Sequence, residues 1–174
     1  MLAATTPVTR PNTIAAFDFD GTLTYRDTLL PFLARVSVWR LVWGLLIIAP
    51  LIVGFLLRMS TRDAAKQQLC GFVLRGRKKD DLRSLASQWI PTISLRKNTL
   101  DRLRWHQAQG HHCVLVSASP DIYLHDMAAY LGFDNLICTQ LETDTENKIT
   151  GQFLGKNCWG AEKRLRLEAQ YGSI

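Results

Sequence analysis

Residues 13–28 read TIAAFDFDGTLTYRDT, an apolar run that ends in two aspartates one residue apart, Asp18 and Asp20, followed by Gly21-Thr22. A carboxylate at the end of a buried strand must be paired, hydrogen-bonded or metal-bound, because an isolated buried charge is too costly to keep. Two such groups side by side suit phosphate transfer. Other residues fit the same chemistry. Ser117 closes a second apolar run, and Ser119 stands at the start of the helix that follows, where free N–H groups and the helix dipole favour a phosphate. Gly160-x-x-Lys163 opens the last helix and brings a cation.

The elements that must position these groups follow from periodicity. Residues 13–19 are continuously apolar, which predicts a parallel strand covered on both faces. Residues 27–37 resume helical spacing, with Asp27 as a cap or first-turn acid. The stretch 41–57 contains no charge, and Pro50 is expected to kink a helix there while Gly44 and Gly54 weaken it. Residues 60–75 and 78–90 read as two more helices, and 95–109 as a basic amphipathic helix ended by Gly110. HHCVLVSA (111–118) predicts a second buried strand, and Ser119-Pro120-Asp121 a helix start with Ser119 as the cap. Residues 135–142 read as a third strand, 148–155 as a segment pairing back through a polar turn, and 160–171 as a helix. Strands alternating with helices predict an α/β fold with a doubly wound parallel sheet. The helical stretch after strand one is too long for a simple crossover. It reads as an inserted all-helical cap over 27–95, with the α/β core formed by 1–26 and 96–174.

The bulk numbers narrow the class. A chain of 174 residues with 47% hydrophobic content supports one domain with a real core. Cys70, Cys113, Cys138 and Cys158 are widely spaced with no CxxC pair, so we expect a reducing compartment and neither a disulfide framework nor a zinc site. The four histidines show no metal-pair spacing. MLAATTPVTRPNT does not have the pattern of a signal peptide. The net charge of +6 is regional: residues 35–83 hold ten Lys/Arg against three acids, and the remainder is close to neutral. That segment expects an anionic partner. Few aromatics interleave with the charges of 75–83, so nucleic acid is not expected.

DFDGTL (18–23) resembles the DxDxT signature of haloacid dehalogenase-type phosphatases. VLVSAS (114–119) is similar to their second motif, and CWGAEK (158–163) to the third-motif lysine context of the branch with a helical cap after strand one. That branch includes phosphoserine phosphatases and some phosphatidylglycerophosphatases. The resemblance implies a Rossmann-like sheet and a hydrolase of phosphomonoesters. Asp18 would attack phosphorus and form an aspartyl-phosphate. Asp20 would protonate the leaving alcohol and later activate water, a role favoured by a raised pKa that the neighbouring carboxylate would supply. Thr22, Ser117 and the backbone N–H groups of Ala118 and Ser119 would hold phosphoryl oxygens, and Lys163, in preference to Lys156, would offset the gathered charge. Mg²⁺ would sit on the Asp18 carboxylate and the Asp20 carbonyl.

The family's fourth motif supplies a further acidic metal ligand after another strand, and the sequence stops at Gly172-Ser173-Ile174, where that strand would begin. The expectation is a truncated or split member lacking the last strands, with weakened metal binding, weak or no turnover, and strand one left as an apolar edge. The uncharged stretch 41–57 and RGRKK (75–79) point to membrane contact, with a true span disfavoured because residues 60–110 hold no returning run. The expected substrate is a lipid-linked or amphiphilic phosphate, met at the cytoplasmic face of a membrane. A soluble phosphatase for a small metabolite such as phosphoserine, or a non-catalytic remnant that binds membrane or phosphate, are the alternatives.

Overall fold

The computed structural model describes residues 13–56 and 62–172. Its elements are β1 (Ile14–Phe17), α1 (Leu29–Leu56), α2 (Arg62–Leu74), α3 (Lys79–Trp89), α4 (Lys97–Ala108), β2 (His112–Pro120), α5 (Asp121–Leu131), β3 (Asn135–Thr139), β4 (Leu141–Thr143), β5 (Ile149–Phe153) and α6 (Ala161–Tyr171). The main sheet is parallel in the order β1-β2-β3, with Phe17 opposite Leu115 and Ser117 opposite Cys138. This is the α/β architecture with a helical insert expected from the sequence.

The apolar continuity of β2 has a direct cause. Cys113 and Leu115 face the larger core shared with the cap, α4 and α5, while Val114 and Val116 face a second cluster with Ile137 and Cys158 beneath α6. A strand buried on both faces has no polar side to alternate with. β1 pairs only with β2 among the described residues, and Ala16 is exposed.

Three expectations are corrected. The segment 135–142 is not one strand: β3 stays in the main sheet, and β4 leaves it to pair antiparallel with β5. Asp121 Oδ1 accepts from the Leu141 N–H at 3.1 Å, which anchors the departure. The break in the long apolar helix falls at Ser37 (φ −169°, ψ 106°) rather than at Pro50, which stays within α1. There the Ser37 hydroxyl accepts from the Arg40 N–H at 3.3 Å and so caps the second, longer part of α1. Ser119 does not cap α5; Pro120 takes that position with no side-chain cap.

The cap is tied to the core by aromatics and glycines. Phe32 of α1, Trp89 of α3 and Tyr123 of α5 pack with ring centroids 4.9–5.6 Å apart. Lys79–Asp121 and Arg83–Asp126 ion pairs at 2.6 and 2.7 Å join α3 to α5. Gly44 of α1 lies where a Cβ would meet Leu69 and Phe72 of α2 at 3.0–3.1 Å, so this glycine lets the two helices approach. Gly71 of α2 faces Gly151 of β5, where a Cβ would stand 2.7 Å from the Gly151 carbonyl oxygen. Replacing Gly71 by Ala must therefore push the β4–β5 hairpin off α2. Urea unfolding of Gly71→Ala is expected to show a loss of about 1–3 kcal/mol, and an unchanged midpoint would contradict this packing.

Candidate active site

The carboxyl ends of β1 and β2 meet. Beyond Phe17 the chain turns through Phe19–Leu23, with Gly21 at φ 76°, a conformation that favours glycine. On β2 the register with β3 slips between Ser117 and Pro120, so Ala118 and Ser119 bulge out where Asp18 and Asp20 emerge. α6 begins at Ala161 and carries Lys163 to the same rim.

Asp18 Oδ1 accepts from the Phe19 N–H at 2.8 Å and pairs with Lys163 Nζ at 2.7 Å. Asp20 is more enclosed. Its Oδ1 accepts from the N–H and hydroxyl of Thr28 at 2.8 and 2.7 Å, and its Oδ2 from the Ser119 hydroxyl at 2.5 Å. Ser117 Oγ accepts from the Ser119 N–H at 3.0 Å and fixes the bulge. Burial pushes the Asp20 carboxyl above the usual carboxylate range, and the hydrogen bonds from Ser119 and Thr28 pull part of the way back. The acid that raises it further is Asp27, not Asp18 as expected from sequence; burial is the larger cause.

These groups border a cavity of about 400 Å³. Asp18, Asp20, Ser117, Ala118, Ser119 and Lys163 all line it, as the sequence expects. Thr22 is not on its wall; the Thr22 carbonyl instead accepts from the Thr99 hydroxyl at 2.9 Å. Lys156 is absent from the wall too, whereas Lys163 is part of it. Asp27 lines the cavity and also caps α1, accepting from the Leu29 N–H at 2.9 Å.

Sequence reasoning missed three contributors. Thr28 holds Asp20. Lys66 of α2 donates to the Ala118 carbonyl at 2.5 Å and to Asn157 Oδ1 at 2.8 Å. Asn157 in turn donates to Asp63 Oδ1 at 2.6 Å and accepts from the Thr139 hydroxyl at 2.8 Å. The only sequence signal for Lys66 was its place in the basic segment, which does not separate it from its neighbours.

No group of three or more His, Cys, Asp or Glu gathers as a metal cage among the described residues. The donors on offer are hard oxygens. Both Asp20 carboxylate oxygens are taken by hydrogen bonds, whereas Asp18 Oδ2 accepts none among the described residues. The Asp18 carboxylate with the Asp20 backbone carbonyl fits Mg²⁺, which keeps several waters.

The comparisons agree with this geometry. The pattern of the haloacid dehalogenase-like hydrolases matches residues 15–173. The chain belongs to that family. It is 33% identical over 162 residues to the protein CicA of Caulobacter vibrioides, a match covering 91% of this chain and 72% of that protein. A Bordetella pertussis protein of unknown function shares the fold with a TM-score of 0.73 at 23% identity, over 91% of this chain and 74% of that one. A substrate-bound phosphoserine phosphatase shares it at a TM-score of 0.62 and 16% identity, over 91% of this chain and 70% of that one.

The Asp20 environment yields a pH prediction. Because folding raises its pKa above 3.8, the native state holds a proton that the unfolded chain has released, so the penalty on stability is full above the folded pKa and fades as pH falls through it. Asp20→Asn is expected to be more stable than the parent at pH 7, with the difference shrinking toward pH 4 in thermal melts across pH. A constant difference would show that Asp20 is not strained by burial.

Proposed function

We propose that this protein is a Mg²⁺-dependent phosphomonoesterase that works through an aspartyl-phosphate, acting on a lipid-linked or amphiphilic phosphate at the cytoplasmic face of a membrane. Asp18 attacks phosphorus as the P–O bond to the leaving alcohol breaks, and Asp20 delivers its proton to that oxygen. Asp20, now a carboxylate, takes a proton from water, whose oxygen attacks the aspartyl-phosphate; inorganic phosphate leaves and Asp18 is regenerated. The raised proton affinity of Asp20 suits the first half of this cycle. Ser117 and the bulge at Ala118–Ser119 orient the phosphoryl oxygens, and Lys163 balances the charge of nucleophile and phosphate. Mg²⁺, held by the Asp18 carboxylate and the Asp20 carbonyl, would polarise the phosphoryl group.

The observation that carries the substrate reading is that α1 has two apolar faces. Leu29, Leu30, Leu45 and Ile48 form much of the cap-side wall of the cavity, a surface for an apolar leaving group. Trp39, Val42, Trp43, Leu46 and Ile47 face outward, with Trp39 74% and Trp43 60% exposed. Ile48 also borders an adjoining groove of about 950 Å³ that Arg40, Phe72 and Arg75 help to line. Leu29–Pro50 is long and apolar enough to cross a membrane, but its bend at Ser37 and its packing on α2 favour an interfacial role. Arginines flanking an apolar face suit anionic lipid. The fold likeness to phosphoserine phosphatase supports the second reading, a small-metabolite phosphatase, for which the same wall would close over a compact substrate.

Two assays test the proposal. Hydrolysis of p-nitrophenyl phosphate with Mg²⁺ should be abolished by Asp18→Asn and lowered about 10²–10⁴-fold by Asp20→Asn; a rate that survives Asp18→Asn refutes the nucleophile. Sedimentation with vesicles should show binding to phosphatidylglycerol and much less to phosphatidylcholine, with Trp39→Ser/Trp43→Ser reducing it. Equal absence of binding to both vesicles would leave the small-metabolite reading in its place.

A further inference from the structure

Two lysines reach the cavity wall, and their surroundings differ. Lys163 is committed to Asp18 at 2.7 Å. Lys66 has no carboxylate at ion-pair distance among the described residues; its hydrogen-bond partners are two neutral oxygens, Ala118 O and Asn157 Oδ1. An ammonium can donate three hydrogen bonds, so one donor remains uncommitted; the charge lies over the Phe153 ring, 5.8 Å from its centroid, and feels Asp27, Asp63 and Asp20 without closing an ion pair on any of them. Burial pushes Lys66 below the ordinary lysine range, and the nearby carboxylates offset only part of that cost.

The position is built from both sides. Asp63 and Lys66 lie three residues apart on α2 and both engage Asn157, which Thr139 at the end of β3 also holds. Lys66 therefore stands where the phosphoryl end of the cavity, Ser117–Ser119, meets the apolar wall of Leu45, Ile48 and Leu69. On the phosphatase reading the transferred phosphoryl group already has Lys163 and the serines to offset it, and Asp18 would hold a cation there as well. A cation on the cap side has a different task.

Resting on the phosphatase reading above, we propose that Lys66 is the subsite for a second anionic group on the leaving-group side of the substrate, a phosphodiester or a carboxylate. The preferred substrate is then a phosphomonoester carrying a further negative charge next to an apolar body. Lys66 acts as a specificity residue and takes no part in bond making or breaking.

The test uses the Asp18→Asn chain, which binds without turnover, and three probes: propyl phosphate, 3-carboxypropyl phosphate, and a propyl phosphate ending in a methyl phosphodiester. Calorimetry should show the second anion tightening binding about 10–100-fold, the range of a charged hydrogen bond. Whichever anionic probe binds more tightly identifies the source of the charge. Adding Lys66→Met should erase the gain, weakening the two anionic probes far more than propyl phosphate, with folding checked by circular dichroism; Lys66→Arg should keep part of the gain. The proposal is overturned if neither second anion tightens binding, if Lys66→Met weakens all three probes equally, or if none of them binds. Failure of the phosphatase reading would look different: the parent chain would hydrolyse none of the probes although the Lys66-dependent preference in binding persisted.

Discussion

One carboxylate holds three parts of the molecule in register. Asp20 lies in the turn after β1, Thr28 starts the cap, and Ser119 lies in the bulge at the end of β2; the Asp20 carboxylate bonds to both of the others at 2.5–2.8 Å. The Thr28 hydroxyl also reaches the Tyr123 hydroxyl of α5 at 3.2 Å, a second polar tie at the start of α1. The same packing buries the Asp20 carboxylate, and burial raises its affinity for a proton by more than the hydrogen bonds, which favour the anion, lower it. Structure and electrostatics thus meet in a single residue: the contacts that place the cap also enclose a carboxylate beside Asp18.

The cap is more than a cover. α1 lends one apolar face to the cavity and turns another outward, and α2 adds Lys66 and Asp63, which grip the core through Ala118 and Asn157. The β4–β5 hairpin supports α2 from outside through the Gly71–Gly151 approach. Polar contacts cross from cap to core both beside Ser117–Ser119 and between α3 and α5.

Much of this was legible in sequence because the motif residues close apolar strands, and strands of a parallel sheet end at one rim. Asp18, Asp20 and Ser117 were placed on that basis, Lys163 by its motif at the opening of the last helix, and all four line one cavity. What was not legible depends on tertiary approach. Ser119 looks like a helix cap in a Ser-Pro-Asp context, yet the Asp20 carboxylate claims its hydroxyl. Lys66 is one lysine among many in a basic segment until α2 brings it to Asn157. NLICTQLE reads as one strand, and only the distant Asp121 shows why it divides before Leu141. Pro50 was the conspicuous helix breaker, but Ser37 carries the bend because its hydroxyl can restart the helix.

The central claim is that Asp18 receives the phosphoryl group, and the most direct measurement is chemical capture of that bond. Protein quenched in acid during turnover of a phosphomonoester can be reduced with borohydride, which converts an aspartyl-phosphate to homoserine, and then digested for peptide mass spectrometry. The account predicts the conversion at position 18 and at no other aspartate. Conversion at Asp20, or none anywhere while hydrolysis proceeds, would contradict it.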